Sequence, residues 1–289
     1  MTGIVIGIDG SEGAGRALAW AVREGELHHW PVTAVMAWGW LDQQAIADAA
    51  FDPGYDASDA ERALDAYIAD ALGPARAATV QRRAVCDLAP RALLAAAADA
   101  SLLVVGARGL GDLRGLVLGS VSQQCLHHAP CPIAIIGPDG AAHDSTPPGR
   151  VVVGIDGSDT ARQALEWAVE EARVRRASLE VVHAWHMPYL IGLPYLGLSF
   201  DPTGIEHEAR ALLEATIGSV DTAGLATPVE PIVVNGGAAS AILETAKDAD
   251  LVVVGSRGRG GFAGLLLGSV GSQVAQEATC AVVVIPAPG

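Results

Sequence analysis

Residues 251–272 read LVVVGSRGRGGFAGLLLGSVGS, and residues 102–122 read LLVVGARGLGDLRGLVLGSVS. Both begin with an uncharged apolar run of strand length and close on a segment of helical spacing, so each predicts a buried parallel strand that turns into a helix. The turn holds more glycine than a bend requires: Gly106, Gly109, Gly111, Gly115 and Gly119 in one stretch, Gly255, Gly258, Gly260, Gly268 and Gly271 in the other. Glycine tolerates positive φ and lets another group approach the main chain. Amides exposed in this way, together with a helix N-terminus, favour an anion. The two stretches are read as a phosphate cradle built twice, against the plainer alternative of a flexible loop. Ser120 and Ser122 follow the last glycine of the first stretch, where their hydroxyls cap the helix or face an oxyanion. Arg108 and Arg257 occupy equal places in the two loops, as phosphate contacts or as solvated surface arginines.

The rest of the chain repeats in the same manner. Asp9-Gly10-Ser11 recurs as Asp156-Gly157-Ser158, Trp20 as Trp167 and Ala37-Trp38 as Ala184-Trp185, all at one offset; the glycine stretches match at an offset two residues longer. A period of this length makes a tandem of complete domains rather than a solenoid. The expected division is 1–138 and 150–289, joined by a polar, turn-rich linker over 139–149. A chain of 289 residues accommodates two domains at about 100 to 200 residues each.

In the first copy, strands are expected over residues 3–8, 31–37, 80–85, 102–105 and 132–136. Ser11 caps the first helix. Residues 38–57 show no period and are read as a mobile loop. A capping box at Ser58 and Glu61 opens a second helix that Gly73-Pro74 stops. Pro90 stands in the first turn of a third helix ending near Asp99, and a fourth starts at Ser120. The second copy repeats the plan with strands over 150–155, 178–184, 229–234, 250–255 and 281–285, and with a capping box at Thr203 and Glu206 after an irregular stretch, 186–202. Strands alternating with helices imply an α/β fold, a parallel sheet with helices on both faces. Ligands of such sheets lie beyond the carboxyl ends of the strands, where strand order reverses. If strands one and four are neighbours, Asp9 meets Gly106 across one crevice and Asp156 meets Gly255 across another. A carboxylate there is a ligand contact or a plain helix cap.

Composition excludes several classes. The net charge of −15 is opposite to what a nucleic-acid surface or an anionic membrane requires. No apolar run reaches membrane-spanning length and the N-terminus lacks a signal-peptide pattern, so a cytoplasmic protein is expected. The four cysteines, Cys86, Cys125, Cys131 and Cys280, show no CxxC spacing and read as reduced structural thiols. A metal reading of Cys125, His127, His128 and Cys131 is disfavoured, because the second copy has Val274 in place of Cys125 and Glu277 in place of His128. No P-loop lysine and no nucleophile elbow occur. His183 matches Met36 in the other copy and reads as a packed histidine, so no catalytic residue is assigned.

These residues resemble the universal stress protein family. Gly-x-x-Gly, nine residues, then Gly-Ser is its nucleotide-binding pattern; both copies fit it. The early Gly7-Ile8-Asp9-Gly10-Ser11 and Gly154-Ile155-Asp156-Gly157-Ser158 look like the same family, as does the apolar run after Cys131. The resemblance covers the whole chain. It implies two Rossmann-like domains, each a five-stranded parallel sheet in the order 3-2-1-4-5, binding ATP or a related adenine nucleotide at two sites with magnesium. By position, Gly7 and Gly154 would stand among the nucleotide contacts, Asp9 and Asp156 would contact adenosine or metal, Ala37 and Ala184 would meet adenine through the main chain, and Val85 and Val234 would line the pocket. Gly106, Gly109, Gly119, Ser120, Val121 and Ser122 would hold ribose and phosphates, as would Gly255, Gly258, Gly268, Ser269, Val270 and Ser272. Ser122 aligns with Gly271 or with Ser272.

The resemblance also implies a role in stress response or growth control through an unidentified protein partner. The leading expectation is a nucleotide-dependent sensor; the alternatives are a slow magnesium-dependent ATPase and a nucleotide-free scaffold. The fifth strands, residues 133–136 and 282–285, carry no charge although they fall at sheet edges. An apolar edge invites pairing, so the two domains are expected to meet there, with a homodimer as a further step.

Overall fold

The computed structural model describes residues 3–39, 55–109, 118–138, 140, 149–186, 202–259 and 267–287. Gly111, Gly115 and Gly260, most of the linker and most of the two irregular segments, 38–57 and 186–202, lie outside the described residues. The chain divides into two compact units, Met1–Asp144 with Ala275–Pro286, and Ser145–Val274 with Ala287–Gly289.

Unit 1 runs β1 (Ile4–Ile8), α1 (Glu12–His28), β2 (Val32–Trp38), α2 (Ala57–Ala77), β3 (Val80–Cys86), α3 (Ala89–Ala96), β4 (Leu102–Gly106), α4 (Ser120–His128) and β5 (Ile133–Ile136). Its strands are parallel in the order β3-β2-β1-β4-β5. Central strands are apolar on both faces because helices cover both; β1, β4 and β5 are almost wholly buried. The outer strand β3 instead exposes Gln81, Arg82 and Arg83, and Arg82 Nε pairs with Asp65 Oδ1 of α2 at 2.7 Å. Charge on that edge protects it from further pairing.

Unit 2 repeats the pattern with β6 (Arg150–Gly154), α5 (Asp159–Arg175), β7 (Ser178–Trp185), α6 (Pro202–Gly218), β8 (Glu230–Asn235), α7 (Ala238–Thr245), β9 (Leu251–Gly255) and α8 (Ser269–Glu277). Its parallel order is β8-β7-β6-β9. The last strand, β10 (Ala281–Ile285), groups with unit 1, where it pairs antiparallel with β5 through Val282–Ile135, Val283–Ala134 and Val284–Ile133. The fold is therefore a tandem of Rossmann-like α/β domains with a mostly parallel sheet.

Local chemistry explains the helix ends. Ser11 and Ser158 cap α1 and α5, each hydroxyl accepting the amide three residues on at 3.2 Å. Each of these helices buries a glutamate at the same place, facing a side chain one turn later, Glu24 with His28 Nε2 at 3.9 Å and Glu171 with Arg175 Nε at 3.0 Å. Three sequence expectations are corrected. The cap of α2 is Asp56, not Ser58: Asp56 Oδ1 accepts the amides of Ser58 and Asp59, and Asp59 Oδ2 accepts the amide of Asp56 at 3.0 Å. The helix starts two residues earlier than the serine would start it, and the Asp56 carboxylate takes its first free amides. In unit 2, α6 already begins at Pro202, so Thr203 lies inside its first turn. Helix α3 ends at Ala96 rather than near Asp99. Gly73 does interrupt α2, with φ 73°, but the chain resumes a helical turn from Pro74.

Candidate functional site

The crevice of unit 1 forms where β1 and β4 lie side by side and the chain leaves them for different helices. Beyond β1, Gly10 takes φ 85°, and this turn folds Ser11 back onto the preceding carboxylate. Asp9 Oδ1 accepts the Ser11 amide at 2.9 Å and the Ser11 hydroxyl at 2.6 Å. Beyond β4, the glycine loop comes so near that a β carbon on Gly109 would overlap Asp9 Oδ2. Asp9 and the loop are thus brought together, as strand adjacency requires.

Loop and helix interlock through two more glycines. A β carbon on Gly106 would stand 3.0 Å from the Gly13 carbonyl, and one on Gly13 would stand 2.6 Å from the Arg108 carbonyl oxygen. Hydrogen bonds close the base of the loop, from the Gly119 amide to the Ala107 carbonyl at 2.8 Å and from the Ala107 amide to the Ile136 carbonyl at 2.9 Å. A cavity of about 360 Å³ opens between the start of α1 and this loop, with Arg16 and Arg108 on its wall. That volume lies within the range of small-molecule sites. At the far side, Gly119 is the N-cap of α4 and, among the described residues, no side chain caps that helix, which suits its first amides to an anion.

Unit 2 builds the same site. Gly157 takes φ 77°, Asp156 Oδ1 accepts the Ser158 amide at 3.0 Å, and Asp156 Oδ2 accepts the Arg259 amide at 2.6 Å. A β carbon on Gly258 would overlap Asp156 Oδ2. The Gly268 amide donates to the Ser256 carbonyl at 2.7 Å, matching Gly119 and Ala107.

The alignment left open by sequence is decided by contacts. Ser122 Oγ donates to the Gly106 carbonyl at 2.7 Å and lies near the Ala107 carbonyl at 3.2 Å. A β carbon on Gly271 would meet the equivalent Gly255 carbonyl at 3.1 Å. Gly271 therefore takes the place of Ser122, and Ser272 takes the place of Gln123. The expected role of Ser122 is corrected: its hydroxyl is buried and spent on the loop carbonyls. Gly7 and Gly154 are also corrected. A β carbon on either would run into a helix side chain, Leu93 of α3 or Ile242 of α7. These glycines make room for packing.

The predicted base-binding residues fall on the same edge. Ala37 pairs with Val85, and Ala184 with Val234, in the registers of β2 with β3 and β7 with β8. Ile8 pairs with Met36, so Asp9 and Ala37 leave neighbouring strands together. Ser120, Val121, Ser269 and Val270 open α4 and α8. Arg108 and Arg257 are exposed in both loops.

Side chains elsewhere behave structurally. His183 Nδ1 lies 2.9 Å from the Ile155 carbonyl oxygen, as a packed histidine should. Cys125 and Cys131 are buried while His127 and His128 are exposed, so these four do not converge on a metal. Sequence reasoning missed Gly13, Arg16, Tyr67 and Arg259. The Tyr67 hydroxyl donates to the Ser11 carbonyl; burial first, and then the charge of Asp9, push its pKa up to about 12. Aligning the two loops residue by residue would have exposed Arg259, whose counterpart is Leu110.

Among the described residues, no helix is long and apolar enough to cross a membrane. A family model described as the universal stress protein family matches residues 1–137 and again 148–286. A universal stress protein of Mycolicibacterium smegmatis is 37% identical over 290 residues, covering 98% of this chain and 96% of its own. Another, from Mycobacterium tuberculosis, is 34% identical over 290 residues, covering 98% and 95%. A solved universal stress protein structure from Archaeoglobus fulgidus covers 98% of this chain and 96% of its own with a TM-score of 0.64 at 20% identity, which bears on the fold alone. With the family model matched twice and relatives of the same length, the chain belongs to the universal stress protein family, as a tandem of two such domains.

Proposed function

We propose that each unit binds one adenine nucleotide, ATP with a divalent cation such as magnesium, and that the protein serves in the cytoplasm as a nucleotide-dependent sensor that changes its contacts with a protein partner. One observation carries this reading. Gly119 adopts φ −72° and ψ 160°, which any residue can adopt, and among the described residues a β carbon there would meet nothing closer than 3.6 Å. At Gly268 the nearest described atom would be 3.5 Å away. The fold therefore does not require glycine at either place, yet both copies have it, directly before a helix start. A ligand that must approach the main chain supplies the missing reason.

The residues present fit a nucleotide phosphate. Helix amides at α4 and α8 supply donors, and Arg108 and Arg257 supply charge against a chain of net −15. Asp9 and Asp156 are each held by amides of their own turn, which suits positioning. A bound magnesium ion would neutralise phosphate charge, with these carboxylates as the nearest protein ligands.

Gly119→Ser and Gly268→Ser test the reading. Serine is as good an N-cap as glycine or better, so the fold is kept while the hydroxyl competes for the amides that would hold phosphate. Losing one or two charge-assisted hydrogen bonds costs about 1.5 to 3 kcal/mol each, so ATP affinity measured by calorimetry should fall more than about tenfold with the melting temperature unchanged or raised. Unchanged affinity in both variants would place the nucleotide elsewhere.

A further inference from the structure

Unit 2 carries a cation on its glycine loop where unit 1 has Leu110: Arg259. The backbone fixes its position, since its N–H donates to Asp156 Oδ2 at 2.6 Å. Its guanidinium rests on the turn between β6 and α5, with Nη2 and Cζ at 3.1 and 3.2 Å from the point where Gly157 would carry a β carbon. With φ 77°, that turn needs glycine, and glycine leaves the surface open to the guanidinium. Arg257 lies two residues earlier in the same loop, its Cα 3.8 Å from the β-carbon position of Gly268 at the start of α8. The loop that carries these arginines therefore passes the α8 N-terminus at the Arg257 backbone and lays the Arg259 guanidinium on the Asp156 turn. Among the described residues, no carboxylate forms an ion pair with Arg259.

We propose that Arg259 is the specificity-determining residue of unit 2: it engages phosphate beyond the first, so that this unit prefers nucleoside triphosphates to monophosphates. The inference rests on the reading that the crevice holds a nucleotide. A single phosphate on the α8 amides leaves Arg259 across the crevice without an anion. A polyphosphate spans both ends, and the planar guanidinium meets it with paired donors. Because Arg259 is exposed, the contact is screened by salt.

The test titrates ATP and AMP by calorimetry into the full chain carrying Gly119→Ser, with and without Arg259→Leu, the residue of the other copy. Gly119→Ser weakens unit 1 by more than about tenfold, so that the tighter sites report unit 2. Arg259→Leu should weaken ATP by about tenfold and AMP by less than about threefold, the loss of one charge-assisted contact. The melting temperature without ligand should stay the same, and the salt dependence of ATP binding should flatten. Arg259→Lys should restore part of the ATP preference. Equal weakening of ATP and AMP, or no change in either, overturns the inference while leaving nucleotide binding intact. If unit 2 with Arg259 present binds neither ATP nor AMP, the nucleotide reading and the inference fall together.

Discussion

The crevices of units 1 and 2 share a plan and differ in how helix meets loop. Both place an aspartate against a glycine, Asp9 with Gly109 and Asp156 with Gly258. In unit 1 the first turn of α1 offers Gly13, and the Arg108 carbonyl comes down onto it. In unit 2 the same place holds Thr160, buried, with Cγ2 3.0 Å from the β-carbon position of Gly255. One site is closed by main chain against main chain, the other by a methyl group. A duplicated site tolerates such divergence where packing is exchanged for packing. The aspartate, its serine and the glycine before each helix recur unchanged.

The largest expected effect comes from forcing unit 1 to resemble unit 2. In Gly13→Thr the new β carbon would stand 2.6 Å from the Arg108 carbonyl oxygen, so the loop must lift. Overpacking of this kind costs about 1 to 3 kcal/mol, to be read as a lower urea midpoint. Thr160→Gly relieves no clash; it should cost about 1 kcal/mol, from the buried methyl it deletes and a few tenths of helix propensity. Equal losses in the two variants would mean that the interlock at Gly13 is loose.

A smaller effect separates Ser122 from Gly271. Ser122→Ala deletes the hydroxyl that bonds the Gly106 carbonyl and should destabilise unit 1 by about 1 kcal/mol. Nucleotide affinity should change little, because the donor faces the loop. A large affinity loss at unchanged stability would return Ser122 to the phosphate.

Much of this was legible in the residues, and the exceptions share a cause. Strands β1, β4, β9 and β10 are uncharged apolar runs, and β6 is one after Arg150, the pattern that burial between two helix layers requires. Alternation of strand and helix implied a parallel sheet, and the order of its strands in the first copy came from the family resemblance. The uncharged edges of residues 133–136 and 282–285 likewise pair in β5 and β10. What the residues did not disclose depends on which of two nearby groups reaches a donor first. Asp56 and Ser58 both cap well, and the chain direction at Asp56 chose between them. Gly7 and Gly109 both read as ligand glycines, yet each faces protein, Leu93 and Asp9 respectively. Gly119 looked no different, and its open surroundings show only in three dimensions. A substitution at Gly109 would disturb Asp9 before it disturbed any phosphate, so Gly119 is the better probe.

The smallest expected effect is a titration. Tyr67 packs its hydroxyl on the Ser11 carbonyl and holds its proton up to about 12, against an ordinary 10.0; against Gly157 in unit 2 comes a leucine, Leu212. Burial likewise pushes the Cys125 thiol up to about 12 and the Cys131 thiol up to about 11 from 9.0. An acid whose pKa is higher in the folded state keeps its proton where the unfolded chain has lost it. The unfolded state then binds fewer protons, and stability falls as pH rises. The loss is absent below the unfolded values, begins near 9 with the thiols, and gains the tyrosine between 10 and 12. Tyr67→Phe removes the tyrosine's share, so urea midpoints of this variant should fall less steeply between pH 10 and 12 than those of the unaltered chain. At neutral pH the variant should be less stable by about 1 kcal/mol for the lost hydrogen bond. Parallel curves for the two proteins would show that Tyr67 is as hydrated when folded as when unfolded, and that the Asp9 turn stands without it.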